Sequence, residues 1–324
     1  PSPGEGLSRR AVFAPAIVML TLGIVVGIVR SDPLYPLLLG GCSLIYPALW
    51  WLGRRRTRPP EPGVQELPGP GDRLNRTAQR VERELELAGQ IQAGFLPESL
   101  PELPGWQLTA EIHPARQTSG DFYDMFMLPD GRLGFLIADV ADKGMGAALF
   151  MALSRTVLRI FMLEHGQRPE LALRAANRHI LRESSSGLFV TLFLGILEPA
   201  TGKLVYCNAG HNPPLLQGGD RHERPRPLGR TGMPVGVSPD AAWSSLSLEI
   251  HPGDVLLLYT DGVTEAQAPA GGFFGEPGLG QVLQNWDGTS AHSLKQQVLQ
   301  AVRAYVQGTD QQDDIAVMVL LREP

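Results

Sequence analysis

Two cysteines, Cys42 and Cys207, are all that 324 residues contain. They lie in unrelated contexts, which excludes a disulfide framework and fits a catalytic part built for a reducing compartment. Neither sign of charge dominates: 28 Lys and Arg stand against 33 Asp and Glu, for a net charge of -5. That balance leaves no basic footprint for a nucleic-acid partner. No GxGxxG follows a strand pattern, no GxxxxGK[ST] occurs and no internal repeat is visible, so nucleotide-binding folds have little to rest on. Gly (37) and Pro (28) are plentiful but scattered, which describes a globular chain with many turns.

What the chain does have begins with two charge-free runs, residues 11–29 and 34–53. Each has about the 20 residues a bilayer-crossing helix needs. Arg30-Ser31-Asp32-Pro33 between them suits a hairpin turn. Arg9 and Arg10 precede the first run, and Arg54, Arg55, Arg56 and Arg58 follow the second. Basic flanks face the cytoplasm, so residues 1–56 are expected to form a two-helix inner-membrane anchor with the rest cytoplasmic. Ile28-Val29-Arg30 supplies no small-residue cleavage site, which argues against a signal peptide. A Pro/Gly-rich linker follows over 57–71.

From Asp72, a candidate helix cap, Leu74, Ala78, Val81, Leu85, Ala88, Gln92 and Phe95 recur in steps of three and four. The pattern predicts an amphipathic, coiled-coil-like helix over 72–96 that stops before Pro97. It has two readings: a helix packed on its own domain, or a parallel homodimer seam between membrane and catalyst.

Beyond it, residues 97–324 read as one α+β domain. Alternating or apolar runs predict strands at 108–112, 122–128, 133–139, 188–197, 204–208, 246–250, 255–259 and 315–321. Helices are expected at 147–164, 169–183 and 293–306. In and just before the first of these stretches, Met145, Leu149, Met151 and Leu153 are expected on a buried helix face.

The chemistry rests on where aspartates fall. Asp121 follows a glycine in GDFYD, Asp139 ends one apolar strand, Asp261 ends another, and Asp313 and Asp314 open the last. Any one alone reads as a turn residue. Together they suggest a convergent acidic cluster, whose self-repulsion a hard divalent cation would relieve. Oxygen ligands without a Cys or His set point to Mg²⁺ or Mn²⁺ rather than Zn²⁺. Two such ions can activate a water for in-line attack at phosphorus.

The strings GDFYD, ADVADKGMGAAL, NAGHNPP, YTDGVTEA and DDIAVMV occur in this order, with IQAGFLP just before. Over about residues 85–322 the chain resembles the bacterial branch of the metal-dependent, protein phosphatase 2C-like phosphatases, of the stage II sporulation protein E and stress-response sigma-regulator type. The resemblance implies an αββα sandwich with two metal ions at one end of the sheet pair. It implies that Asp139 bridges the ions, that the Val140 carbonyl assists, that Asp121 holds one ion directly or through water, and that Asp261 and Asp313 complete the second site. Asp313 is preferred to Asp314, and Asp124 is a neighbour that would support the ligands. Arg116, five residues before Asp121, matches a phosphate-binding arginine of the larger relatives; an ordinary surface arginine is the alternative.

The histidine those relatives carry after their Asp-Gly pair is missing, which leaves the leaving-group acid unassigned. His211 is expected to shape a hairpin rather than to react. Cys207 lacks the base and phosphate loop of a cysteine phosphatase. The helices after Asp139 would form a regulatory switch. The implied function is hydrolysis of phosphoserine or phosphothreonine on a small protein, an anti-sigma-factor antagonist, by a two-metal activated water. The rival expectations are a membrane-tethered phosphoprotein-binding pseudo-phosphatase and a membrane sensor.

Overall fold

The structure is a computed structural model and describes residues 70–184, 187–219 and 224–324. The two apolar runs expected to form the membrane hairpin, and the linker up to residue 69, lie outside the described residues. A compact unit spans Asp72–Pro324.

The chain order is α1 (Pro70–Ala93), β1 (Trp106–His113), β2 (Phe122–Met127), β3 (Leu133–Val140), α2 (Met145–Glu164), α3 (Pro169–Glu183), β4 (Val190–Glu198), β5 (Lys203–Ala209), β6 (Leu215–Gln217), β7 (Arg226–Pro227), β8 (Leu246–Glu249), β9 (Val255–Tyr259), α4 (Asp261–Thr264), α5 (Gly275–Asn285), α6 (Ala291–Val306) and β10 (Ile315–Arg322). Two five-stranded sheets form, in the orders β1-β10-β9-β6-β7 and β2-β3-β4-β5-β8. Neighbouring strands in both are antiparallel.

Side-chain alternation explains the stacking. In β10, Ala316, Met318 and Leu320 point into the space between the sheets, while Val317, Val319 and Leu321 meet α5 and α6. Both faces are buried, so the strand reads as an unbroken apolar run. In β3, Leu133, Phe135 and Ile137 face the other sheet, while Leu136, Ala138 and Val140 face α2 and α3. Three apolar layers therefore separate helices, sheet, sheet and helices. The expected helix–sheet–sheet–helix sandwich is present in the described residues.

Helix α2 corrects one expectation. Met151 is buried, but Met145 is 38% and Leu149 67% exposed. The buried face runs instead through Ala147, Phe150, Met151, Ser154, Leu158 and Met162, the steps a 3.6-residue period requires. Among the described residues, α2 alone is long and apolar enough to cross a membrane, with mean hydropathy 1.5, and this buried face packs in the domain's core.

Helix α1 divides between its two readings. Residues 75–84 are exposed, Val81 among them at 49%. Toward its C-terminal end, Leu85 and Ala88 are half-buried and Gln92 is buried. The Gln92 side chain donates to the Ser119 carbonyl at 2.6 Å and accepts from the Ser119 amide at 2.9 Å. Gly89 lies so close to Gln117 that an added Cβ would stand 2.0 Å from its carbonyl oxygen. The end of α1 is thus keyed onto the loop that leads to Asp121.

Candidate metal centre

The β1–β2 loop, the ends of β3 and β9 and the start of β10 meet at one end of the sheet pair. Asp139 is the last inward-facing residue of β3, across from Thr191 of β4. Thr260 closes β9 onto β10: its amide donates to the Ala316 carbonyl at 3.1 Å and its hydroxyl accepts from the Ala316 amide at 2.9 Å. That clamp sets Asp261, the first residue of α4, beside Asp313 and Asp314. Gly262 has to be glycine there, because a Cβ would stand 1.9 Å from the Asp314 carbonyl oxygen.

Asp314 and Asp313 behave differently. Asp314 spends both carboxylate oxygens on backbone: Oδ1 accepts from the Ala115 amide at 2.7 Å and Oδ2 from the Gly120 amide at 2.8 Å. It pins the β1–β2 loop in place and has little left for an ion. Asp313 Oδ1 accepts from the Asp314 amide at 2.9 Å, and its Oδ2 is bound by a side chain, Lys143 Nζ at 2.9 Å. Gly120 also brings the Val140 carbonyl close: an added Cβ would stand 3.2 Å from that oxygen.

The carboxylates act on one another. Asp121 is 2% exposed, and burial, followed by the charge of Asp139, holds its carboxyl well above the ordinary range. Burial, then Asp261, pushes Asp139 up to about 7. Burial, then Asp313, pushes Asp261 up to about 6. At an effective dielectric of about 20, like charges about 4 Å apart repel by about 4 kcal/mol. A cluster of this kind holds protons or takes up cations.

Asp121 Oδ2 is buried and without a hydrogen-bond partner among the described residues. An orphaned carboxylate oxygen in an all-oxygen acidic cluster fits a hard divalent ion. No three of these side chains already form a closed cage around a single point among the described residues, so small side-chain movements accompany any binding.

Arg116 sits on the exposed loop beside Ala115 and makes no hydrogen bond or ion pair among the described residues. Asp124 does not stand behind the acidic cluster. Alternation along β2 turns it toward α2, where it is fully buried and bound by Arg155 Nη2 at 3.2 Å and Arg159 Nη1 at 3.0 Å. Arg159 also lies 4.4 Å above the Phe126 ring. Asp124→Ala, which strands two guanidinium groups, should cost about 3 kcal/mol in urea denaturation; a change under about 1 kcal/mol would show that the pairs do not hold α2 to β2.

His211 is 1% exposed, and burial pushes its pKa down to about 3, so it stays neutral. Its Nδ1 lies 2.9 Å from Thr191 Oγ1, and its amide donates to Asn208 Oδ1 at 2.8 Å. It braces the strand opposite Asp139 and has no solvent-facing edge. Cys207 is buried, its thiol pushed up to about 12 by burial, and its Sγ donates to the Ser244 carbonyl. That is an unreactive core thiol.

Sequence reasoning missed Thr260 and Lys143. Thr260 precedes Asp261 in YTDG, and its hydroxyl accepts from the Ala316 amide of β10. Lys143 is the one basic residue in ADVADKGMGAAL. Nothing in the linear pattern says what either reaches.

Residues 129–323, more than half of the chain, match the Stage II sporulation protein E (SpoIIE) family. The chain belongs to that family. The matched span includes Asp139, Asp261 and Asp313, while Arg116 and Asp121 precede it. The chain is 38% identical over 271 residues to protein IcfG of Synechocystis sp., covering 74% of this chain and 41% of IcfG. It is 26% identical over 245 residues to the phosphoserine phosphatase RsbU of Bacillus subtilis, covering 76% of this chain and 72% of RsbU. Less than half of IcfG is therefore represented here. Among solved structures, the SiaA-PP2C domain of Pseudomonas aeruginosa superposes with a TM-score of 0.66 at 19% identity, over 76% of this chain and 97% of that one. The fold is that of a PP2C-type phosphatase domain of the SpoIIE family.

Proposed function

We propose that this SpoIIE-family chain hydrolyses phosphoserine or phosphothreonine on a small regulatory protein, of the anti-sigma-factor-antagonist kind. One observation carries the reading: Asp121, Asp139 and Asp261 crowd together beside Asp313 at one end of the sheet pair, their carboxyls held above the ordinary range by burial and by one another's charge, and Asp121 keeps a buried oxygen without a partner among the described residues. The similarity to RsbU and to RsbP, both named phosphoserine phosphatases, supports the reaction class. RsbX, solved in complex with magnesium at a TM-score of 0.52 and 14% identity, is consistent with a Mg²⁺ or Mn²⁺ pair.

In this reading Asp139 would serve both ions, Asp121 and the Val140 carbonyl would help hold the first, and Asp261 and Asp313 would hold the second. When bound, the ions supply positive charge against the phosphoryl oxygens and make water a better nucleophile. The chain's own part is positional. Asp314 and Thr260 hold the loops that carry the ligands, and His211 braces the strand opposite Asp139. Arg116, exposed and unpaired among the described residues, can take two phosphate oxygens at once. Phosphoryl transfer needs little covalent help, so positioning and charge suffice.

Residues 1–56 would anchor the chain in the inner membrane with the catalytic domain in the cytoplasm. The exposed N-terminal half of α1, with Ala78 and Val81, would pair in parallel with a second copy. The rival reading is a module that captures a phosphoprotein without cleaving it; the presence of all the acidic positions disfavours it. The discriminating measurement is phosphate release from a serine-phosphorylated protein by the purified full chain. Mn²⁺ should raise the rate on the order of a hundredfold over a chelated control. Turnover that survives chelation, or none with Mn²⁺ bound, would count against hydrolysis by this site.

A further inference from the structure

Lys143 lies in the loop between β3 and α2, four residues beyond Asp139 in sequence. Its ammonium reaches across to the loop before β10, 2.9 Å from Asp313 Oδ2 and 3.0 Å from the Gln312 carbonyl oxygen that accepts from it. Its positive charge also acts on Asp261. Asp261 and Asp313 are the two carboxylates assigned above to the second ion.

The loop is built around this contact. Asp142, not a glycine, has φ 111°, and Gly144 has φ 83°. A side-chain-bearing residue persists in that region only where its surroundings hold it. Asp142 Oδ1 accepts from the Lys143 amide at 2.8 Å, a local contact. Two long-range contacts tether the loop: the Ala141 amide donates to the Phe189 carbonyl at 2.9 Å, and Lys143 reaches residues 312 and 313.

We propose that Lys143 is an internal counter-cation of the second ion site, whose ammonium must leave Asp313 before a divalent ion can take Asp261 and Asp313 together. The inference rests on the metal reading above. A lysine suits the role because its ammonium is a compact, strongly hydrated point charge on a flexible stem. It neutralises a carboxylate without filling a coordination site and can swing into water, since its side chain is 44% exposed. Asp313 Oδ1 already accepts from the Asp314 amide at 2.9 Å and Oδ2 carries the ammonium, so an ion that takes Oδ2 meets a like charge at short range; lysine and the second ion compete, and binding of the second ion is linked to release of the β3–α2 loop.

The test is Mn²⁺ titration of the full chain by calorimetry, with free Mn²⁺ followed by electron paramagnetic resonance, for wild type, Lys143→Met and Lys143→Arg. Methionine keeps the stem and removes the charge. Lys143→Met should tighten the weaker of two Mn²⁺ sites by about tenfold, equivalent to roughly 1.4 kcal/mol. Lys143→Arg, which keeps the charge, should stay within about threefold of wild type. Lys143→Met should also melt at lower temperature in chelator, where Asp261 and Asp313 face each other uncompensated, and gain more from added Mn²⁺. Two bound ions with unchanged or weakened affinity in Lys143→Met would overturn this inference alone. Failure of wild type and both variants to bind Mn²⁺ would overturn it together with the metal reading. A raised substrate KM in Lys143→Met at unchanged Mn²⁺ affinity would place Lys143 on the phosphate instead and overturn the inference as well.

Discussion

Asp139→Asn is expected to lower kcat/KM toward a serine-phosphorylated protein in Mn²⁺ by on the order of a thousandfold, a loss of roughly 4 kcal/mol of transition-state stabilisation. The substitution is isosteric, so packing at the end of β3 is unchanged. It also removes one of the mutually repelling charges, because Asp139 raises Asp121 and is itself raised by Asp261, Asp313 and Asp314. The chelated variant should therefore melt no lower than chelated wild type, and with that result lost activity cannot be put down to unfolding. The paired measurement is single-substrate kinetics with thermal melts in chelator. Turnover within about tenfold of wild type would remove Asp139 from the centre of the site.

Metal-free protein should lose stability as pH rises from about 5 to about 8, and Mn²⁺ should reverse that loss. The folded-state values of Asp139, about 7, and Asp261, about 6, lie above the ordinary aspartate value of 3.8. In that window the folded state holds more protons than the unfolded state. A group shifted this way contributes stability fully below 3.8 and loses it as pH climbs through about 6 and about 7. A divalent ion takes the ionised carboxylates and displaces their protons, so its affinity rises with pH. The gap in melting temperature between Mn²⁺ and chelator should therefore widen from about pH 5 to about pH 8. Other titrating groups contribute to both conditions, and the difference between them isolates this cluster. A gap that stays constant or narrows would mean that the carboxylates do not share a site.

Much of the sandwich could be read from period-two and period-3.6 patterns, and the failures have physical causes. All eight expected strands form, because each carries its own apolar alternation or unbroken apolar run. The short strands β6 and β7 escaped notice: three and two residues hold too little pattern to stand out. Helix α5 escaped because Gly275, Pro277, Gly278 and Gly280 are poor helix formers in isolation. Leu279 and Leu283, fully buried under sheet and α6, hold it in place. The assignment of Asp124 failed for a different reason. The family resemblance placed it beside the ligands, yet alternation along β2 turns its side chain toward α2, to Arg155 and Arg159.

By itself, the sequence determined the layers of this protein, because burial of alternating apolar faces is local information repeated in every strand and helix. It also determined which acids were available, since strand ends and glycine turns mark them. Only the tertiary structure decided how those acids divide their work. Asp314 is occupied by the Ala115 and Gly120 amides, and Asp313 is held by Lys143. Those choices depend on contacts between segments more than a hundred residues apart, and no periodicity encodes a distance across the space between two sheets.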